Sequence, residues 1–337
     1  MNRVLIAMMV PVLAIMLVAI SLAFPDPPVP AQFNPAECRR LDIVDQQFRR
    51  IAGIEDMQLT SDDRLFFTAY NRYFPDSPAR GVFVLDLNEM DPDAPIYVDP
   101  LRNVGLAVRV LRPHGFALDR AAERFAFINR PAEGRAEVVW GTVENGSFSE
   151  SGRWDGEGSC RANDLLYRGA ELLVSLDRAS CAPSLTDLMP GSASGRVVSV
   201  GFGQVNEVAK DLSFPNGLFL NGGELVVAET RGDRLWRSGG AAPFELPGGP
   251  DNLTNGPAGT MVAALHMDLF DYWLYSMRYS KTTGSRIEQI SLRSGERRIL
   301  FDDPLGETFS GASVAVLSRG RLFAGSAYDL GILACGL

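Results

Sequence analysis

An all-β, six-bladed propeller behind an N-terminal hydrophobic helix is the architecture to expect from this chain. Three observations carry that expectation. A strand–turn–strand phrase recurs six times, helical periodicity is hard to find after the first two dozen residues, and a cysteine stands at each end of the recurring region. The copies are Met57-QLTSDDRLFFTA, Phe116-ALDRAAERFAFIN, Leu165-LYRGAELLVSL, Leu218-FLNGGELVVAE, Leu253-TNGPAGTMVAAL and Val314-AVLSRGRLFAGSA. Each sets apolar or β-branched runs around a Gly, Asp or Asn turn, which is hairpin chemistry. Spacings of several tens of residues, with several short strands per unit, mark a propeller. A pair of β-sandwiches would fit the length but not the repetition.

Taken in order, the chain opens with an uncharged run from Val4 to Phe24, after Arg3, that is long enough to span a bilayer. A signal peptide shares this pattern, but the length of the run favours an uncleaved anchor over residues 1–24. Either reading puts the bulk of the protein outside the cytosol, membrane-anchored through that helix or released if it is cleaved. Pro25, Pro27, Pro28, Pro30 and Pro35 then stiffen a linker over 25–37, leaving 38–337 as the propeller.

Cys38, Cys160, Cys181 and Cys335 allow three pairings. The nested one, Cys38–Cys335 with Cys160–Cys181, suits a ring whose two ends must meet. A bridge across such a long loop destabilises the unfolded chain by on the order of 5 kcal/mol in a loop-entropy model.

Charge narrows the function classes. With 32 Lys and Arg against 41 Asp and Glu the net charge is −9, which argues against nucleic acid as a partner. Two histidines, His114 and His266, exclude a three-histidine zinc site. The sequence contains no G-x-S-x-G, H-E-x-x-H, Walker or C-x-x-C motif.

The polar residues just upstream of the repeated phrases are more informative. Five successive units place a carboxylate, carboxamide or imidazole where the chain enters the innermost strand, in Gly53-IED, Arg112-PHG, Arg161-AND, Phe214-PNG and Pro250-DNL. In a propeller these points converge on the axis, so Glu55, Asn163, Asn216, Asp251 and Asn252 would form one oxygen-rich cluster. Hard oxygen donors without thiolates suit Ca²⁺. Asp56 and Asp164 each adjoin a member of that cluster and point the other way on a strand. They suggest a second, deeper Ca²⁺ site, helped by a carbonyl such as that of Phe116. Asp and Asn before a strand ordinarily make turns, and that explains any single one of these residues better than five at equivalent points. Asn252 and Asn145 also begin glycosylation sequons.

With these residues in view, the chain resembles the serum paraoxonase/arylesterase family, calcium-dependent six-bladed propeller lactonases within a wider gluconolactonase-like group. The resemblance rests on Cys38, GIEDMQL, RPHGFAL, FINRP, ANDLL, FPNGLFL, PDNLT, AALH and the terminal GASVAVLSRGRLFAGSAYDLGILAC. It implies two Ca²⁺ ions: a catalytic one on Glu55, Asn163, Asn216, Asp251 and Asn252, and a structural one on Asp56, Asp164 and the Phe116 carbonyl. It implies Cys38–Cys335 as the ring-closing disulfide, His114 and His266 as active-site histidines, and Phe214 and Tyr73 as pocket residues. The expected activity is hydrolysis of a small-molecule lactone or aryl ester. The metal would polarise the carbonyl, and His114 or Asp251 would activate water.

One departure matters. The family's second histidine lies in an NHP segment that here reads Asn129-Arg130-Pro131, so no histidine dyad forms. Arg130 is no base at neutral pH; it lowers the pKa of His114 or recognises an anionic substrate. Cys160–Cys181 also falls outside the family pattern. Two other functions compete: a sugar lactonase of the gluconolactonase/regucalcin type, and a membrane-tethered binding propeller with structural Ca²⁺. Leu269, Phe270, Tyr272 and Trp273, which follow His266, read as core packing ahead of a cap over the site or a membrane contact.

Overall fold

All six phrases fold as antiparallel hairpins in the computed structural model, which describes residues 30–119, 123–132, 135–182, 192–201 and 203–337. The first strands are Ile54–Leu59, Pro113–Leu118, Ala162–Arg168, Pro215–Asn221, Gly249–Asn255 and Ala312–Ser318. Their partners are Arg64–Ala69, Arg124–Ala132, Glu171–Leu176, Glu224–Glu229, Met261–His266 and Arg321–Ser326. Two further strands complete each hairpin into a four-stranded sheet, giving six blades. Neighbouring first strands pack on one another around a closed circle, so each runs along the axis.

The two ends of the chain share the last blade. Its outermost strand is Arg39–Leu41, paired antiparallel with the C-terminal Ile332–Cys335. The Cys38–Cys335 disulfide forms at that seam, with Cα atoms 4.3 Å apart, and Cys160–Cys181 forms as the inner pair. Two disulfides are those of an extracytoplasmic protein. The 1–24 segment expected as an anchor lies outside the described residues. Among the described residues no helix is long and apolar enough to cross a membrane.

From Ala31 onward the chain is one compact unit. The Gln32 and Phe33 amides donate to the Ile299 and Leu300 carbonyls, and Phe33 packs on the buried cluster that holds Leu333 and Cys335. The last residues of the expected linker therefore lie against the propeller, because Phe33 finds an apolar site there. The cores sit within and between blades. Phe66, Phe116, Phe125, Phe127 and Phe148, for instance, interlock between the first and second blades.

The feature that positions the site is a register break at the start of every first strand. Pairing skips Glu55, His114–Gly115, Asn163–Asp164, Asn216–Gly217, Asp251–Asn252 and Ser313. A bulge leaves its residues outside the ladder and re-aims their side chains. Gly115 and Gly217 are required by close approach. A Cβ at either would collide with the backbone of the next blade, at the carbonyls of Asn163 and Asp251.

Candidate active site

The bulged residues meet in two tiers. The upper tier is buried and nearest the strand starts: Glu55, His114, Asn163, Asn216 and Asp251, each at most 7% exposed. His114 Nε2 lies 2.9 Å from Asn163 Oδ1, and its Nδ1 lies 2.7 Å from Arg72 Nη2. The other Arg72 nitrogen pairs with Glu55 Oε2 at 2.7 Å. A guanidinium only donates, so Nδ1 accepts from Arg72, and Nε2 carries the proton that goes to Asn163. Burial, and then the charges of Arg130 and Arg72, hold His114 well below the usual imidazole range. It is neutral, with both nitrogens engaged.

On the other side of the tier, Asn216 Nδ2 donates to Asp251 Oδ1, and His266 Nε2 donates to Asp251 Oδ2 at 2.9 Å. His266 Nδ1 is buried without a hydrogen-bond partner. Tyr272, from the short helix Leu269–Ser276, stacks on the His266 ring at 3.8 Å. Phe270 and Trp273 of the same helix are exposed, so the stretch read as core packing divides between a cover for His266 and solvent. Burial raises the Glu55 carboxyl above its ordinary value against the pull of Arg72. Asn252 donates its amide to the Glu55 carbonyl at 3.0 Å, tying the fifth blade to the first. Its burial leaves the sequon at Asn252 inaccessible in the folded chain, whereas Asn145 is exposed.

The lower tier is one residue further along the strands. Asp56 accepts from the amides of Met57 and Phe116, and Asp164 from those of Leu165 and Leu218, at 2.7 to 3.0 Å. Burial pushes Asp56 up to about 7, with Glu55 and Asp251 adding to the rise and the amide donors opposing it. Asp164 is raised well above the carboxylate range by burial and then by Asp56. Among the described residues neither carboxylate has an ion-pair partner. Gln58 donates to the Phe116 carbonyl at 2.9 Å.

These residues fit a hard cation. Asn216 Oδ1 is buried without a hydrogen-bond partner, and Glu55 Oε2 has none beyond its ion pair with Arg72. Among the described residues no three His, Cys, Asp or Glu side chains gather as a metal-binding group. The donor set instead mixes carboxylates with carboxamides and carbonyls, which is the preference of Ca²⁺.

The remaining expected residues surround this mouth. Tyr73 donates its hydroxyl to the Tyr275 carbonyl and packs on Tyr328, whose ring in turn lies against Tyr272. Arg130 Nη2 donates to the Ala162 carbonyl at 2.6 Å. Phe214 lies beneath the guanidiniums of Arg178 and Arg231. Sequence reading missed Arg72, Tyr328 and Ser313, whose hydroxyl donates to the Glu55 carbonyl. Ser313 was findable as the sixth blade's bulge residue. Arg72 lies in a loop of the first blade, past the end of its strand–turn–strand phrase, where the repeat carries no signal.

No protein-family model matches the chain, and no curated protein does. Solved structures match widely. One, from Bacteroides thetaiotaomicron and of unknown function, has a TM-score of 0.54 at 11% identity, over 85% of this chain and 69% of its own. Another, assigned as a gluconolactonase, has a TM-score of 0.50 at 14% identity, over 90% of this chain and 94% of its own. A gluconolactonase from Xanthomonas campestris follows at 0.49 and 19% identity, over 92% and 99%. At these identities the likeness shows the fold alone, in agreement with the six four-stranded blades. Since 471 chains match, the scaffold alone does not fix a function.

Proposed function

We propose that the chain is a calcium-dependent lactone hydrolase. The observation that carries this reading is the upper tier itself. Five consecutive blades aim a bulged polar residue at the axis, and among the oxygens gathered there Asn216 Oδ1 has no hydrogen-bond partner while Glu55 Oε2 meets only Arg72. In this reading Glu55, Asn163, Asn216, Asp251 and Asn252 hold the catalytic ion, while Asp56, Asp164 and the Phe116 carbonyl hold a second, structural one. Bound Ca²⁺ supplies Lewis-acid polarisation of the ester carbonyl and stabilises the developing oxyanion. The protein's own part is to orient that carbonyl, exclude water behind Tyr272, and accept a proton.

The base is better sought at His266 than at His114. His114 already accepts from Arg72 and donates to Asn163. His266 is oriented through Nε2 by the Asp251 carboxylate, which leaves Nδ1 as a free acceptor. A carboxylate-oriented imidazole matches the demands of general-base catalysis near neutral pH.

Among lactones, the gluconolactonase neighbour favours an aldonolactone as the first substrate to try. The paraoxonase-like segments RPHGFAL, FPNGLFL and PDNLT favour a second reading, hydrolysis of acyl lactones or aryl esters. Initial rates on all three substrate types, with Ca²⁺ and after EGTA, test the proposal. The expected result is hydrolysis of at least one type that EGTA abolishes and Ca²⁺ restores. Hydrolysis unaffected by EGTA would overturn the metal's role. Bound Ca²⁺ without turnover of any type would make the molecule a binding propeller.

A further inference from the structure

A second repeat lies at the same mouth. The second strand of each blade runs antiparallel to the first, so its end adjoins the site: Ile54 pairs with Ala69, Pro113 with Asn129, Ala162 with Leu176, and Pro215 with Glu229. Just beyond these partners the sequence reads Asn71-Arg72, Asn129-Arg130, Asp177-Arg178 and Thr230-Arg231. Four consecutive blades thus carry a small polar residue and an arginine at, or within a few residues of, the point where the second strand reaches the site. The fifth blade has His266 at the strand end, and the sixth has Tyr328 shortly after it. In a protein of net charge −9, four guanidiniums at one mouth call for an explanation.

Carboxylates among the described residues face these guanidiniums. Arg72 is matched by Glu55. Asp177 faces the other three, together with Arg161. The Nε atoms of Arg130 and Arg178 are buried without hydrogen-bond partners. The guanidiniums of Arg178 and Arg231 lie 5.7 and 4.9 Å from the Phe214 ring centre, so that ring supports both. Guanidiniums with unused Nε donors match the paired oxygens of a carboxylate or phosphate.

We propose that this collar receives an oxyanion on the substrate, so that the lactone cleaved carries a carboxylate or phosphate besides the ester being opened. The substrate class rests on the lactonase reading; the oxyanion pocket does not. Phe214 serves as a stacking platform that holds Arg178 and Arg231 in place, Arg72 is the collar residue in direct contact with His114 and Glu55, and Arg130 anchors between the second and third blades on the Ala162 carbonyl.

Calorimetric titration with glutarate, glycerol phosphate and the neutral isostere glutaramide tests this, in Ca²⁺ buffer, on the wild type, Arg130→Gln and Arg178→Gln. Arg178 lies in a surface loop, so its variant keeps the test open if Arg130→Gln does not fold. One of the two anions is expected to bind at least about tenfold more tightly than glutaramide, and that preference is expected to shrink about tenfold in either variant. Which anion wins assigns the oxyanion. Equal binding of glutaramide, or a preference that survives both substitutions, overturns the collar. Lactone hydrolysis measured on the same samples separates the two claims. Turnover of neutral lactones without anion preference breaks only this inference; anion preference without turnover of any lactone breaks only the lactonase reading.

Discussion

Glu55 and Asp56 are neighbours in sequence, yet they belong to tiers with opposite chemistry. Asp56 and Asp164 have each carboxylate oxygen on a backbone amide, and those amides come from their own strand and from an adjacent blade. They stitch the ring together. Glu55 and Asp251 are held by mobile kinds of group, a guanidinium, a carboxamide and an imidazole, and the oxygens of Glu55 and Asn216 beside them are under-satisfied. In the proposed reading the tier satisfied by backbone is structural, and the tier satisfied by side chains, with acceptors left over, is where a ligand exchanges. The bulge makes this division, because the re-aimed residue and the one that follows it project to different depths along the axis.

That division is sharpest in activity. If the proposed function holds, Asp251→Ala is expected to lower lactone turnover by about 10³-fold, because it would remove a proposed metal donor and does remove the group that orients His266. The melting temperature should stay within a few degrees. Circular dichroism alongside initial rates checks both, and a collapse of the fold with activity would erase the distinction between tiers.

The mirror experiment is Asp164→Ala. It strands the buried amides of Leu165 and Leu218, and the expected loss of stability is about 3 kcal/mol. Denaturant titration measures it. If instead stability holds and only turnover falls, the lower tier is catalytic and the comparison is wrong.

A smaller effect follows from the pH dependence of the metal-free protein. Asp56 is raised from an ordinary carboxylate value to about 7 in the fold. The native state therefore binds the proton more tightly than the unfolded state, and this group's contribution to stability falls as pH rises from about 4 to about 7. Denaturation of wild type and Asp56→Asn in EGTA should show the wild type losing stability relative to the variant across that window. Ca²⁺ at a hundredfold excess over its dissociation constant would restore about 2.7 kcal/mol at neutral pH. A difference that grows with pH in the wild type's favour would mean that the carboxylate is stabilised as the anion.

The fold was legible because its unit repeats. Six apolar phrases around polar turns return the six inner hairpins, and the residues ahead of them return the tiers, since a repeat places equivalent positions at equivalent points. What lay hidden has physical reasons. Arg72 reaches the site from a loop, and its charge is meaningful only once Glu55 is seen 2.7 Å away. The tautomer of His114 depends on that same arginine, which no spacing reveals. The arginine collar shows in the sequence at Asn129-Arg130 as a departure from an NHP segment, and it is visible as a repeat only where the ends of the second strands come side by side in the fold. Phe33 joins the propeller although the prolines around it suggest a free linker, since hydrophobic burial depends on the surface across from it.

The smallest expected effect is also the one that separates the two histidines. Glutamine in place of His114 retains a donor that can reach Asn163 and an acceptor for Arg72, so His114→Gln is expected to change turnover less than about tenfold. His266→Gln removes the free acceptor that Asp251 orients, and a lost general base costs about 10² to 10⁴. The pH–rate profile decides between them independently of magnitude. The acid limb should persist in His114→Gln, because a histidine held well below the usual imidazole range and hydrogen-bonded at both nitrogens is not the group that titrates. Should that limb vanish in His114→Gln and persist in His266→Gln, the proton passes through the first and second blades, and Arg72 must swing off Nδ1 in every turnover.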